Sequence, residues 1–288
     1  MKRVRFILAV GVCMAVIIST FLYHGTQAAT IVSAASGNWN STSTWVGGVV
    51  PGAGDDVFIQ SGHTVTLTQN EACNDLNINQ DATFGVASLG VNTLQVSGKL
   101  RGYTGSAPGT STNTVQNGSL LSTSGSGKIK FIGSTRTILT SGEWGNNPQA
   151  WDVEFAPTAG QTLTIQTGFK ARNVTVSSGT VTSSNTDFRP DGAAAGAGTL
   201  TIKTGATLQF SAGSVAIKRI ATAGATSHFG TLTVESGATL DFSGTSSPTI
   251  GASTFVFTGT VSYSGAGAQT LASKVVIQAA PTLLPTQI

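Results

Sequence analysis

The sequence predicts an all-β protein, namely a right-handed parallel β-helix (a solenoid) with an N-terminal capping segment, preceded by a signal peptide. Three observations lead to this prediction: a leader of distinct composition, short runs in which apolar and polar residues alternate, and internal repeats. Alternation with a period of two is typical of strands that bury one face. Repeats at intervals of tens of residues are typical of stacked architectures.

The N-terminal segment at 1–29 differs in composition from everything that follows it. Lys2, Arg3 and Arg5 precede an apolar run at 6–22, which ends in small and polar residues. This layout is typical of a secretory signal peptide with cleavage after Ala28 or Ala29, so we expect a secreted or cell-surface protein. The alternative is an uncleaved anchor, because the run at 6–22 is at the short end of what spans a bilayer.

The balance of charge gives no support to a nucleic-acid partner. The chain has 15 Lys and Arg against 12 Asp and Glu, and the excess of three lies entirely in the leader. The remainder is neutral, so we expect no nucleic-acid binding and no membrane contact after cleavage. Cys73 is the only cysteine beyond the leader, so no disulfide can form within the mature chain, and we expect a buried thiol.

Two segments show the internal repeat most clearly. "GTLTIKTGATLQFS" at 198–211 and "GTLTVESGATLDFS" at 230–243 match at 10 of 14 positions. Within each copy the apolar residues alternate on both sides of a glycine turn, which predicts two strands with one buried face. We predict that such copies stack as parallel strands; an antiparallel sandwich is the alternative.

Charged residues supply a test of register, because outward residues of stacked strands become neighbours and like charges there would repel. Lys203 is matched by Glu235 one repeat later. The opposite charges predict that these two residues stack.

A second charge match comes from aligning "WDVEF" with "FKARN" at an offset of 18, which places Asp152 opposite Lys170 and Glu154 opposite Arg172. Two acids and two bases on one wall could also form the acid/base site of a polysaccharide lyase or hydrolase. Charge matching explains all four residues without a substrate. We therefore expect no enzyme activity and no catalytic residues, and keep the glycan lyase or hydrolase as a less favoured alternative.

Asp55 and Asp56 stand side by side before an alternating run and have two interpretations. As turn residues they would accept hydrogen bonds from nearby backbone amides. As calcium ligands they would need several further oxygen atoms. We favour the turn and keep both residues as weak metal candidates. Zinc has no support, since His63, His228 and Cys73 lack a recognisable ligand spacing. No metal or other cofactor is expected.

The N-terminal part of the mature chain resembles a known family. "GNWNSTSTWVGGVVPGAGDDVFIQSGHTVTL" and the segments that follow it, over about residues 37–103, are similar to the G8-type module found at the start of secreted β-helical surface proteins. Later segments such as "GTVSYSGAGAQTL" resemble repeats of large bacterial surface proteins. The resemblance implies an extracellular β-stranded module with carbohydrate contact or adhesion, and it brings no catalytic residue. We divide the chain into a signal peptide (1–29), a G8-like cap with the first rungs (30–103) and continuing repeats (104–288).

Aromatic residues within the cap have an expected structural role. We expect Trp39 and Trp45 to cover the exposed end of the stack, since a stacked protein needs such a cap to stay soluble. In the run after the two aspartates, Val57 and Ile59 should point inward.

The best sequence candidate for a ligand site is the loop "SGEWGNNPQAW" at 141–151. Tryptophan rings can stack on sugars while carboxyl and amide groups bind hydroxyls, although aromatic side chains more often pack in the core. Trp151 alternates in phase with Val153 and Phe155, which favours an inward position for it. The candidate ligand-binding residues are Glu143, Trp144, Asn146, Asn147 and Trp151.

Thr-x-Thr triplets recur along the chain, for example at 162–164, 180–182, 199–201 and 231–233. Flat threonine ladders on β-helices are one way of binding ice, but threonine also favours exposed strand positions. The uneven spacing of the triplets argues against a regular lattice, so ice binding is a remote alternative.

Together these patterns predict a secreted or cell-surface structural or adhesive β-helix module, with a carbohydrate-binding module as the alternative. The expected partners are extracellular polysaccharide or other surface proteins. End-to-end self-association is a further hypothesis, because the C-terminal segment at 273–288 shows no obvious capping pattern.

Overall fold

The computed structural model describes residues 28–111, 120–121, 127–139, 152–166, 168–185, 187–190, 197–213, 215–217, 229–244 and 248–265. In these ranges the chain is all-β, with no α-helix and two short 3₁₀ helices at Thr42–Thr44 and Val46–Gly48. No helix in the described part of the chain combines the length and apolarity needed to cross a membrane. The prediction of an all-β protein is confirmed.

The strands are short. In chain order they are β1 (Thr30–Val32), β2 (Gly37–Asn38), β3 (Asp56–Ile59), β4 (Thr64–Thr66), β5 (Glu71–Cys73), β6 (Leu76–Asn79), β7 (Val86–Ser88), β8 (Thr93–Val96), β9 (Leu100–Thr104), β10 (Thr110–Ser111), β11 (Leu120–Leu121), β12 (Lys128–Gly133), β13 (Arg136–Leu139), β14 (Asp152–Pro157), β15 (Thr162–Ile165), β16 (Phe169–Ala171), β17 (Asn173–Val176), β18 (Thr180–Ser183), β19 (Asp187–Pro190), β20 (Thr199–Ile202), β21 (Thr207–Phe210), β22 (Ala216–Ile217), β23 (Phe229–Val234), β24 (Thr239–Phe242), β25 (Thr249–Ile250), β26 (Ala252–Phe257) and β27 (Thr260–Ser262).

These strands form five sheets. Sheet I has the order β1-β3-β6-β9-β10, sheet II β11-β7-β4-β2, sheet III β26-β23-β20-β17-β14-β12-β8-β5, sheet IV β13-β15-β18-β21-β24-β27 and sheet V β16-β19-β22-β25. Within the described strands, every pairing is parallel except that of β9 with β10. The chain therefore returns to the same sheet at intervals and adds a parallel strand each time.

The near-identical segments stack as predicted. Leu200 pairs with Leu232 between β20 and β23, and Leu208 pairs with Leu240 between β21 and β24, so both strands keep the register that aligns the two copies. Lys203 and Glu235 come directly after the paired residues Ile202 and Val234. The Glu235 amide donates to the Ile202 carbonyl at 3.0 Å. The Glu235 carboxylate accepts a hydrogen bond from the Thr204 amide at 3.1 Å. Opposite charges thus marked the register correctly.

Alternating burial gives the stack one continuous core. In β20 and β21 the threonines and Gln209 are half-buried on the outside, while Leu200, Ile202, Leu208 and Phe210 are fully buried. Phenylalanine rings follow one another inside: Phe210 stacks on Phe242 with 5.7 Å between ring centroids, and Phe242 stacks on Tyr263 at 5.3 Å. Such ring pairs contribute about 0.5–1.5 kcal/mol each beyond the area that they bury.

The turn between paired strands requires glycine at one position. Gly205 and its equivalent Gly237 have φ angles of +79° and +75°, a region that other residues enter at a cost. The Gly205 amide also donates to the Gly237 carbonyl at 3.0 Å, so successive turns are hydrogen-bonded to each other.

The described N-terminal end is filled by two tryptophans. Trp39 and Trp45 are buried, with their rings in an edge-to-face contact at 5.2 Å. Trp45 Nε1 donates to the Trp39 carbonyl at 2.6 Å, and the Trp39 amide donates to the Thr66 carbonyl at 2.9 Å. Trp39 thus lies next to β2, the last strand at one edge of sheet II. Val57 and Ile59 point inward as predicted, and Cys73 is buried.

We expect the substitution Leu208→Ala to lower the free energy of unfolding by about 2–5 kcal/mol, because it opens a cavity between Val181 and Leu240 in neighbouring strands. Denaturant unfolding followed by circular dichroism measures this change. The matched control is Thr207→Ser on the outer face of the same strand, for which we expect a change within about 0.5 kcal/mol. Equal effects of the two substitutions would contradict the burial pattern.

Candidate functional site

Asp55 ends the turn before β3, and Asp56 is the first residue of that strand. The Asp55 carboxylate accepts hydrogen bonds from the Gly52 amide at 2.8 Å and the Ala29 amide at 3.1 Å. Asp56 Oδ1 accepts from Asn74 Nδ2 at 2.8 Å and from the Asp75 amide at 3.2 Å. These are the contacts expected of carboxylates that shape a turn. Among the described residues, no three His, Cys, Asp or Glu side chains are grouped closely enough to hold a metal ion.

The predicted glycan-binding loop lies outside the described residues. This applies to all five of its candidates, Glu143, Trp144, Asn146, Asn147 and Trp151. Val153 and Phe155, with which Trp151 alternates, are both buried.

The strongest charge cluster of the described residues lies on the outer face of sheet III. Glu154 is held between two lysines of the adjacent strand, at 2.6 Å from Lys128 Nζ and 2.8 Å from Lys130 Nζ. Ser177 Oγ donates to the same carboxylate at 2.8 Å. The cluster arises because β12 and β14 pair in register, with Lys128 opposite Asp152 and Lys130 opposite Glu154.

The predicted pairing at an offset of 18 is wrong. Arg172 binds Asp152, not Glu154, with 2.6 Å between Nε and Oδ1. Lys170 belongs to β16 in sheet V, where it lies opposite Arg189 and not opposite Asp152. The physical reason is that β14 pairs with β17 at an offset of 21, whereas the offset of 18 belongs to β15 and β18.

The contacts of Glu154 fix its protonation state. Burial alone would raise the pKa of its carboxyl, but hydrogen bonds from Lys128, Lys130 and Ser177 lower the pKa to about 2. A general acid needs a pKa near the working pH. Glu154 is therefore ionised near neutral pH and not poised to donate a proton.

Threonines form columns on the outer faces. Thr180 of β18 lies opposite Thr162 and Thr207, and the same column continues through Thr239 and Thr260 along sheet IV. Next to it, Thr164 Oγ1 and Thr182 Oγ1 are 3.5 Å apart. The column is built from the triplets at 162–164 and 180–182 and from the single threonines of the next three strands, and it is regular because the loops between strands absorb the differences in length. The triplets themselves do not form one array, because those at 199–201 and 231–233 stack on each other in sheet III.

A cavity of about 280 Å³ lies beside the edge of sheet III. Its walls are the loop at 51–53 on one side and β5 with the preceding Asn70 on the other, and Gln95 of β8 completes it. β5 is the last strand of sheet III at this edge. The cavity thus lies between the edge strand of the described sheet and the Gly/Pro loop at 51–53.

Glu71 is the acidic residue in the wall of this cavity. Its Oε1 atom is buried and has no hydrogen-bond donor among the residues that the structure describes. Burial raises the pKa of its carboxyl, and a hydrogen bond from Gln69 opposes this shift. Asn70 Oδ1 accepts from the Thr93 amide at 2.8 Å, which ties this wall to β8.

Sequence reasoning missed Lys128, Lys130 and Glu71. The two lysines had a usable signal, since "KIKF" and "DVEF" have the same apolar positions and opposite charges. Glu71 had none, because an isolated acid at the start of a short strand is normally solvated.

No protein-family model, no curated protein and no solved structure matches this chain.

We expect Glu154→Gln to lower the free energy of unfolding by about 1–3 kcal/mol at neutral pH, because it removes charge-assisted hydrogen bonds. The pKa of Glu154 is depressed in the folded protein, so its stabilisation is present above the ordinary glutamate pKa. It is lost as the pH falls towards about 2. Denaturant unfolding at several pH values tests this: the gap between the two proteins should close in acid. Glu235→Gln is the control, and a gap that is independent of pH would contradict the assignment.

Proposed function

We propose that this chain is a secreted or cell-surface module with a structural or adhesive role and no catalytic activity. In this proposal the parallel sheets wind as a right-handed β-helix, with a G8-like segment at 30–103 as its cap. The observation that carries the proposal is the in-register stacking of repeats such as 198–211 and 230–243. Stacked copies of a short repeat build a long and stiff surface, which is what a spacer or adhesive module needs.

The outer faces support the same role. Threonine is the commonest residue in the columns of sheets III and IV, and Asp152 and Glu154 among them bind basic side chains. Asp241 of sheet IV accepts hydrogen bonds from Gln209, Ser262 and Ser264. A neutral, hydroxyl-rich surface suits contact with extracellular polysaccharide or other surface proteins better than contact with a polyanion. The apolar leader at 6–22 supports export.

Export and adhesion are tested together. We expect the full chain, expressed in a bacterium, to be found at the cell surface or in the medium, and its counterpart without residues 6–22 to remain in the cytoplasm. Beads coated with the exported protein should be retained on immobilised cell-surface polysaccharide under flow. Mass spectrometry of the exported N-terminus shows whether cleavage follows Ala28 or Ala29.

Matched controls separate the alternatives. Retention that disappears in Trp144→Ala would place glycan recognition in the loop at 141–151. Release of unsaturated or reducing sugars that stops in Asp152→Asn would contradict a non-catalytic role. Exported protein that binds neither polysaccharide nor cells would contradict adhesion.

Ice binding is a second candidate, favoured by one observation, the five-threonine column along sheet IV. Strands about 4.8 Å apart repeat the hydroxyl and methyl groups at a constant interval. The column is one residue wide and uncharged, and the next column carries Gln209 and Asp241. A regular row of hydroxyl and methyl groups suits an ordered water surface.

We expect the purified protein, if it binds ice, to show thermal hysteresis that Thr180→Tyr abolishes, because the ring would lift the surface off the column. Tyrosine is well accepted in strands, so the fold should be kept. The control is Thr158→Tyr at an exposed position just after β14. Absence of hysteresis in the unchanged protein would reject this candidate.

A further inference from the structure

The cavity beside β5 has a chemical requirement that its own walls do not meet. Glu71 Oε1 is buried, yet no donor among the described residues reaches it. The half-buried carboxylate has a hydrogen bond from Gln69, so Oε1 is the oxygen that lacks a donor in the described part of the chain. A carboxylate in this state is stabilised when a cation or a further hydrogen-bond donor binds it. The cavity therefore favours a ligand group that brings such a donor.

The other walls of the cavity restrict the chemical class of the ligand further. Asn70 and Gln95 are amides, each of which can both donate and accept hydrogen bonds. The loop at 51–53 contributes only proline, glycine and alanine, which leave room and add no charge. Paired donors and acceptors around one carboxylate suit a small molecule with several hydroxyl groups and one cation.

The size of the cavity and the residues that line it argue against a large ligand and against a divalent metal ion. About 280 Å³ is close to the lower end of ligand pockets, roughly 300–1,000 Å³, so there is room for one small ring. A divalent metal would require more oxygen ligands than this wall offers, and no metal-ligating group of three occurs in the described ranges.

We propose that the cleft between the loop at 51–53 and β5 binds a protonated amino sugar, with its ammonium on Glu71 and its hydroxyl groups on Asn70 and Gln95. The ammonium supplies a further donor and the opposite charge to the Glu71 carboxylate. The edge of β5 adds backbone groups to the same wall. This site uses none of the candidate residues at 141–151, and it does not depend on an adhesive role for the chain.

The experiment compares two trisaccharides that differ only in the amino group. Calorimetric titration of the purified protein, slightly below neutral pH and at low salt, uses the glucosamine trisaccharide and its fully N-acetylated form. We expect the charged form to bind about tenfold more tightly, a gap of ~1.4 kcal/mol, because acetylation removes the ammonium. n-Butylamine serves as a third probe, with the cation but without the ring.

Variants assign the effect to residues. Glu71→Gln has nearly the same size and no charge, so it should remove the preference for the charged sugar. Gln95→Ala should weaken both trisaccharides, because it removes a hydroxyl partner and leaves the carboxylate. Glu235→Gln, far along the chain and in another turn, should change neither value. Circular dichroism and the melting temperature of each variant separate loss of the site from loss of the fold.

Several outcomes would overturn the proposal. They are equal affinity for the two trisaccharides, no binding of either, or an unchanged preference in Glu71→Gln. Butylamine binding as tight as that of the charged sugar would show a site for the ammonium alone and reject the saccharide. None of these results bears on export or adhesion, which are measured separately.

Discussion

Parallel pairing with equivalent residues opposite each other is the constraint on which the rest of the structure depends. It places Leu200 over Leu232 and Phe210 over Phe242, so a side chain is covered by one of its own kind. Because side chains alternate along a strand, a slip of one residue would turn every apolar side chain outward. Correct register therefore builds the core and the surface in the same step, in a chain with only 9% charged residues.

The same constraint acts on the outer face, where polar residues are also brought into line. A column tolerates neutral residues without limit, which the threonines of sheet IV illustrate. Sheet V places Lys170 opposite Arg189, but on sheet III the charged residues of neighbouring strands are opposite in sign, which is the favourable arrangement. Glu154 between Lys128 and Lys130 satisfies this condition, and Arg172 does so for Asp152. The few charged residues of this surface are thus placed by the pairing of the strands.

The sequence was enough to predict the strands and the stacking of the near-identical repeats, but not how the other strands pair. Alternation and a near-identical repeat were enough to predict that 198–211 stacks on 230–243, since identical spacing leaves one register. They were not enough for Asp152, whose partner depends on offsets that vary from 18, for Thr162 with Thr180, to 35, for Leu94 with Ile129. Strands of two or three residues, such as β16 and β22, are too short for a period to be read.

The cavity lay beyond sequence reasoning for another reason. Its walls come from a loop at 51–53, a strand edge at Glu71 and a residue of the next strand, Gln95, and their meeting depends on where sheet III ends. No local pattern encodes the end of a sheet. The Gly/Pro composition of the loop indicated a turn, but not the space that it leaves.

The hydrogen bond between successive glycine turns has a consequence for how such a chain can change in length. Gly205 and Gly237 close their turns in the same way, and each turn rests on the next. A duplicate of the unit at 198–229 would offer its neighbours the same strand pairings and the same turn hydrogen bond as the segment it copies. Insertion or deletion of whole units should therefore cost little stability, whereas insertion of a single residue inside a strand would shift the register of that strand.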